Sequence, residues 1–252
     1  MIKSIYKSIV PEGLRVSLRQ DLQKLIAPFY FGNRFYCNCC DKSFRAFLPK
    51  GNIKREHAAC PYCGSLERTR LLYFYLQNEV QAFSRPLKVL HFAPEACLYA
   101  MFKKLNIEYV DADINPALAH HVIDITSIPY KDHYFDLIIC SHVLGHVPDE
   151  EKAIQELKRV LKPNGVALIV TLINPELRVT LEDATVIIPA ERLQRYGESD
   201  LCRLHGSDFG ERLEKQGFSV EKIDYRQALP DTLVQRCRLG NGQRELIFKC
   251  TH

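Results

Sequence analysis

Phe135-Asp136-Leu137-Ile138-Ile139-Cys140-Ser141-His142-Val143-Leu144-Gly145-His146-Val147 is the stretch from which the fold of this 252-residue chain can be read. Its apolar run is unbroken rather than alternating, and it stops abruptly at Ser141-His142. Such a run suits a strand buried on both faces, here 134–140. Working outward, further strands are predicted at 121–123, 108–112 and 87–92 on the N-terminal side, and at 165–172 on the other. Helices are predicted at 95–105 and 149–161. The second carries Ala153, Ile154, Leu157, Val160 and Leu161 at helical spacing and stops at Pro163-Asn164-Gly165. Strands alternating with helices give an α/β fold with a mostly parallel, Rossmann-like sheet covered on both faces. Residues at about 174–206 break the alternation and read as a lid-like insertion over the sheet's edge. A helix at 207–216 follows, then strands at 218–225 and 243–250 with no helix between them. That pair predicts an antiparallel hairpin and an antiparallel last strand.

The N-terminal third has another texture. Leu14, Leu18, Leu22, Leu25 and Ile26 form an amphipathic helical stripe, expected to pack on the segment that follows or on the sheet. Ser43–Leu48 alternates as a strand, followed by a turn at Pro49–Gly51. Ser65 suits the N-cap of a helix over about 66–82. Ser84-Arg85-Pro86 reads as a linker, which divides the chain into residues 1–84 and 85–252.

Five of the ten cysteines fall between residues 37 and 63. Cys37-x2-Cys40 and Cys60-x2-Cys63 have the spacing of two zinc knuckles, whose four thiolates close a tetrahedron around one structural Zn2+. Cys39 could replace Cys37 or Cys40, but the x2 spacing and Gly64 favour the 37/40 and 60/63 set. A closed four-thiolate site folds a small module and leaves no position for substrate. Arg55, Arg68 and Arg70 flank the knuckles. All three could contact phosphate or another anion, whereas Arg68 and Arg70, on the helix after the second knuckle, are read as binding backbone carbonyls or a carboxylate.

Residues 1–85 hold 14 Lys+Arg against 6 Asp+Glu, a formal +8, and the remainder holds 20 against 24, a formal −4. This asymmetry raises the prospect of an anionic partner for the N-terminal part. With 46% hydrophobic and 25% charged residues, the composition excludes disordered, collagenous and coiled-coil classes. No apolar run is long enough to span a bilayer, and the N-terminus lacks the apolar core of a secretory signal, so a cytoplasmic protein is expected.

In open α/β sheets, ligands bind beyond the carboxyl ends of the strands at the switch point. The loop there, His91-Phe92-Ala93-Pro94-Glu95-Ala96-Cys97, lacks Gly-x-Gly-x-x-Gly, which disfavours a dinucleotide. Asp113, ending the second strand, stands where an acid holds a ribose diol.

Taken together, Val89–Glu95, Asp113, Asp124 with Ile128-Pro129, Phe135-Asp136 through His146, and Leu161-Lys162-Pro163-Asn164-Gly165 resemble the ordered motifs of class I S-adenosylmethionine-dependent methyltransferases. Cys60-Pro61-Tyr62-Cys63-Gly64-Ser65-Leu66-Glu67-Arg68-Thr69-Arg70 extends the likeness to a bacterial group with an N-terminal four-cysteine zinc ribbon and unassigned acceptors. The resemblance implies that His91, Phe92, Ala93 and Glu95 carry the cofactor's methionine end. It places Asp113 and Ile114 at its ribose, Asp124 and Ile125 at its adenine, and Ser141 with His142 on the methyl-transfer side. The first loop departs from the family text: Ala93 and Glu95 stand at glycine positions and His91 at the acid position. Glu95 would either repel the cofactor carboxylate or hold its ammonium. Gly145 stands where Glu is common.

Methyl transfer to a hydroxyl gains from a base titrating near neutrality, and His142 is the candidate. His205 and Tyr196, in the insertion, could reach the site from above, whereas His146 reads as structural. No Asn/Asp-Pro-Pro-Tyr follows the fourth strand, and no Pro-Cys or Thr-Cys pair ends a strand. Both absences weaken base-amine and ring-carbon methylation. Three readings remain: a methyltransferase acting on an oxygen or nitrogen of a small molecule or glycan, an RNA methyltransferase gripping phosphates with its ribbon, and a non-catalytic zinc-bearing scaffold.

Overall fold

A computed structural model of the chain describes Leu18, residues 21–52 and residues 54–252. The N-terminal part holds two small antiparallel pairs, β1 (Phe31–Cys37) with β2 (Lys42–Phe44) and β3 (Leu48–Lys50) with β4 (Arg55–Ala59), followed by helix α1 (Glu67–Asn78). Then come β5 (Lys88–Phe92), α2 (Ala96–Phe102), β6 (Glu108–Asp113), β7 (His121–Val122), β8 (Phe135–Ser141), α3 (Glu150–Val160) and β9 (Leu161–Val170). The insertion contributes β10 (Leu181–Glu182), α4 (Pro189–Tyr196) and β11 (Arg203–Leu204). The chain closes with α5 (Phe209–Lys215), β12 (Ser219–Ile223), α6 (Asp231–Cys237) and β13 (Ile247–Thr251).

Seven strands make one sheet in the order β12-β13-β9-β8-β5-β6-β7. β7, β6, β5, β8 and β9 run parallel, and β13 lies antiparallel to both β9 and β12. The strand order reverses direction between β5 and β8, which makes the carboxyl ends of those two strands the switch point.

The unbroken apolar run of β8 follows from its burial on both faces. Leu137 and Ile139 pack with Val89, with Leu71, Leu72 and Leu76 of α1, and in one continuous cluster with the ribbon's Phe35, Phe44 and Phe47. Phe135, Ile138 and Cys140 pack against Ala153, Ile154 and Leu157 of α3 on the other face. α3 starts where Asp149 accepts a hydrogen bond from the Lys152 amide at 3.0 Å, and Pro163 cannot extend it.

Several expectations need correction. Leu161–Gly165 does not cap the helix but opens β9, and the register jumps from the Phe135–Leu161 pair to the Leu137–Val166 pair, so 162–165 bulge out of the ladder. The strand expected over Ser43–Leu48 is split. Phe44 and Phe47, three residues apart, are both buried, a spacing a single strand cannot point one way. A helix does lie between the two late strands: α6, led in by Pro230, with Leu233 and Val234 packed on the core that includes the ribbon. Helix α1 is not capped by Ser65, because Leu66 takes the N-cap position without a side-chain bond.

The predicted helix 14–26 falls mostly outside the described residues. Its described part, Leu18 and Asp21–Ile26, is helical, but Leu18, Leu22 and Leu25 are exposed instead of packed. Among the described residues no helix is long and apolar enough to cross a membrane.

Candidate functional site

The two knuckles bring Cys37, Cys40, Cys60 and Cys63 together, with all four sulfurs within 4.8 Å of one another. Cys37 Sγ lies 3.6 Å from Cys63 Sγ, and Cys40 Sγ 3.7 Å from Cys60 Sγ. Four thiolates at roughly 2.3 Å from one tetrahedral ion would stand ~3.8 Å apart, so the donor set fits. Cys39 is outside it, with its sulfur 4.0 Å from the Thr69 carbonyl. The sequence did not reveal the part played by Ser65. Its buried hydroxyl sits 3.1 Å from Cys37 Sγ and 3.2 Å from Cys63 Sγ, where it can donate to a thiolate and hold the ligand in place.

At the switch point, Ala93 donates its amide to the Ala112 carbonyl at 2.9 Å, tying the first loop to the end of β6. Ala93 has φ +49° and His142, just past β8, has φ +55°. The backbone thus keeps the left-handed turn that a glycine would adopt freely, now carried by residues with a Cβ. His91 is sealed in the core. Its Nδ1 lies 3.1 Å from the Tyr109 hydroxyl, and its Nε2 lies 3.0 Å from Glu95 Oε2. Burial pushes the Glu95 carboxyl up, but the His91 hydrogen bond, the charges of His91 and Arg68, and the nearby Ser141 hydroxyl outweigh it and hold it below the usual range. Glu95 Oε1 and Ser141 Oγ are buried and form no hydrogen bond among the described residues.

The other residues expected at the cofactor divide. Asp113 Oδ1 accepts from the Asn115 amide at 2.8 Å, and Asp113 lines a groove of about 1080 Å³ together with Ala93, Pro94 and the ribbon's Cys40, Tyr62 and Cys63. Phe92 and Ile125 are core residues, Ile114 is exposed, and Asp124 is exposed and spent on the Thr126 amide and hydroxyl.

Comparison with known proteins decides what this sheet is: residues 94–169 match a family described as a methyltransferase domain. The match takes in α2 through β9, about a third of the chain, and makes that segment similar to a methyltransferase domain. A tRNA U34 carboxymethyltransferase of Nautilia profundicola is 30% identical over 137 residues, covering 53% of this chain and 42% of that protein. The ubiquinone/menaquinone biosynthesis C-methyltransferase UbiE of Francisella tularensis subsp. novicida is 39% identical over 70 residues, 28% of this chain and 24% of that one. The chain thus spans less than half the length of these curated relatives. Among solved structures, the YcgJ protein of Bacillus subtilis aligns with TM-score 0.48 and 15% identity, over 71% of this chain and 99% of that chain.

The insertion is fastened down. Cys202 donates its amide to the Gly145 carbonyl at 2.8 Å, and Arg203 donates to the carbonyls of Leu144, Val147 and Pro148. A Cβ at Gly145 would meet the Leu201 methyl at 2.9 Å, so the insertion packs closely on this residue. Under the insertion lies a cavity of about 200 Å³ whose walls include His142, His146, Thr171 and His205. His142 Nε2 donates to the Arg244 carbonyl at 3.3 Å, which leaves Nδ1 as a proton acceptor. His205 is buried between Thr171 Oγ1 at 2.9 Å and Glu150 Oε1 at 2.6 Å. Tyr196 does not reach the cavity and packs instead with Val186 and Leu201. His146 is not merely structural in position: it lines the cavity, with Nδ1 3.4 Å from Asp200.

The three arginines beside the knuckles part ways. Arg55 pairs with Glu67 at 3.0 Å, and Arg70 is consumed by four backbone carbonyls. Arg68 instead joins the wall of the 200 Å³ cavity.

Proposed function

We propose that the protein transfers a methyl group from S-adenosylmethionine to an oxygen or nitrogen of a small molecule or glycan, with a structural Zn2+ held by Cys37, Cys40, Cys60 and Cys63. The observation that carries this reading is the methyltransferase domain itself, whose switch point presents an ionised, partly unpartnered Glu95. When bound, S-adenosylmethionine supplies an electrophilic methyl group on a sulfonium. Glu95 would take the ammonium of its amino-acid end and Asp113 its ribose hydroxyls. His142, kept neutral, would accept the acceptor's proton at Nδ1, and the fastened insertion would exclude water.

Calorimetric titration of the zinc-loaded chain with S-adenosylmethionine and S-adenosylhomocysteine tests this. Micromolar binding, weakened at least tenfold in Asp113→Ala and in Glu95→Gln, is expected. A folded protein that binds neither would leave the scaffold reading.

RNA as the acceptor has one observation in its favour. Lys24, Lys42 and Lys104 line the groove between ribbon and α2, and one relative is named a tRNA carboxymethyltransferase. If RNA is the acceptor, its affinity should fall steeply between 50 and 200 mM salt, as about one counterion is released per phosphate contact. A salt-insensitive or absent interaction would favour the small-molecule reading.

A further inference from the structure

We propose that the cavity bounded by Arg68, His142, His205 and Arg244 is an oxyanion subsite, and that the methyl acceptor carries a carboxylate or phosphate group bound there. The anion site stands on its own; its assignment to the acceptor rests on the methyl-transfer reading.

Two guanidinium groups carry the argument. Arg68 projects from α1, the helix that follows the second knuckle, and Arg244 lies just before β13; both line the cavity. Neither side chain has a hydrogen bond or an ion pair among the described residues, and Arg68 Nε is sealed from solvent without any partner. Elsewhere this fold satisfies its sheltered arginines. Arg159 forks onto Glu156, Arg212 onto Glu182 and Glu150, Arg226 onto Asp224, and Arg203 onto Glu182 and three carbonyls. Two unmatched, half-buried cations in one small cavity are costly unless a ligand completes them, and a planar fork is suited to a carboxylate or phosphate. Burial pulls both groups below their ordinary values, only partly offset by the charges of Glu95 and Glu67 on Arg68 and of Glu198, Glu245 and Glu67 on Arg244, none of which is in hydrogen-bond contact with them. Glu198 is the one carboxylate on the cavity wall, and Arg203 on the same wall is already spent.

Position assigns the anion to the acceptor. The cavity lies beyond the ends of β8 and β9 and under the insertion, and takes in His142 and Thr171. The groove containing Ala93 and Asp113 shares no lining residue with it. An acceptor anchored by its charged group between Arg68 and Arg244 would be held beside His142, whose ring is itself oriented by the Arg244 carbonyl. The zinc module would then have a direct part in substrate choice, because it orders α1 and so places Arg68.

The test uses the zinc-loaded full chain and inorganic phosphate as the probe, read by calorimetry with thermal melts as a folding control. Saturable binding is expected, weakened at least tenfold in Arg68→Gln and in Arg244→Gln, partly recovered in Arg68→Lys, and unchanged in Arg178→Gln on the exposed surface. No saturable binding by the folded wild type, or wild-type affinity in both glutamine variants, would overturn the subsite. Titration in the presence of S-adenosylhomocysteine or methylthioadenosine, which lacks the amino-acid end, distinguishes the sources. Phosphate affinity unchanged by either nucleoside supports the acceptor. Competition by S-adenosylhomocysteine alone would assign the arginines to the cofactor carboxylate and overturn the acceptor claim. Phosphate binding in a protein that binds no nucleoside would keep the anion site while removing the methyl-transfer reading.

Discussion

The Arg70 guanidinium donates from Nε to the carbonyl of Cys237 at 2.6 Å, joining the helix after the knuckles to α6 near the end of the chain. The same group reaches Ser65 O at 2.5 Å, Arg238 O at 2.9 Å and Ala58 O at 3.0 Å, and it is completely buried. It is a cation matched by carbonyl dipoles rather than by a carboxylate. Arg70→Ala would strand those carbonyls, so we expect a loss of about 3–5 kcal/mol in urea unfolding, the usual cost of breaking a buried charged network. A loss below about 1 kcal/mol would mean that water replaces the clamp.

The Ser65 hydroxyl beside Cys37 and Cys63 predicts that Ser65→Ala weakens metal binding by about tenfold, measured by competition with a chromophoric chelator. Metal removal itself should lower the thermal midpoint of the whole chain by more than about 10 °C, because a structural zinc contributes folding free energy. The reason lies in the core, where Phe35, Phe44 and Cys60 share one cluster with Val89, Leu137 and Leu168 of the sheet. An early melting step confined to the ribbon would contradict this.

His142 is held well below 6.5 by burial first and then by the charge of Arg68, with the Arg244 carbonyl acting weakly in the other direction. The folded ring therefore stays neutral where the unfolded one protonates. Its contribution to stability is full above about pH 6.5 and declines as pH falls below that value. His142→Gln should flatten that decline in denaturant titrations between pH 7 and 5. For turnover, the acid limb of the pH profile should lie well under 6.5, and a limb at 6.5 lost in the variant would show an exposed, ordinary histidine instead.

Glu150 acts in the same sense over a lower pH range. Burial pushes its carboxyl up, but the His205 hydrogen bond and the charges of His205, Arg203 and Arg212 hold it below 4.5. The stability it contributes is present above about pH 4.5 and is lost as pH falls through the lower folded value. Glu150→Gln should cost about 3 kcal/mol at pH 7, with the gap to wild type closing at the acid end. An equal gap at pH 7 and pH 3 would remove the ionic account.

Ala93→Gly should stabilise the fold by about 0.5–1 kcal/mol. The left-handed conformation at φ +49° strains a residue with a Cβ by more than glycine's extra chain entropy costs. Affinity for S-adenosylhomocysteine should hold or improve. A destabilised variant would show that the Ala93 methyl makes packing contacts that outweigh the strain.

Much of the scaffold was legible because its signals are local. The β8 run, the α3 stripe and the four knuckle cysteines are periodicities and spacings a few residues long, and each appears in the structure. What escaped notice was weak or non-local. α6 has only seven residues, so its Leu233, Val234 and Cys237 pattern is too short to distinguish from loop. Ser65 looked like a helix cap, since a serine before a helix is commonly one, and only the folded knuckles show its hydroxyl beside two sulfurs.

The sequence alone marked the cluster of four cysteines and the alternating strands and helices of the central sheet, because the chain itself carries those spacings. Only the tertiary structure decided the fates of Arg68 and Arg70, two residues apart on one helix. One is consumed by carbonyls 167 and 168 positions away; the other is left facing a cavity. Neighbouring side chains on a helix diverge by about 100° per residue, so adjacent positions meet different parts of the fold, and their partners come from packing rather than from their own segment.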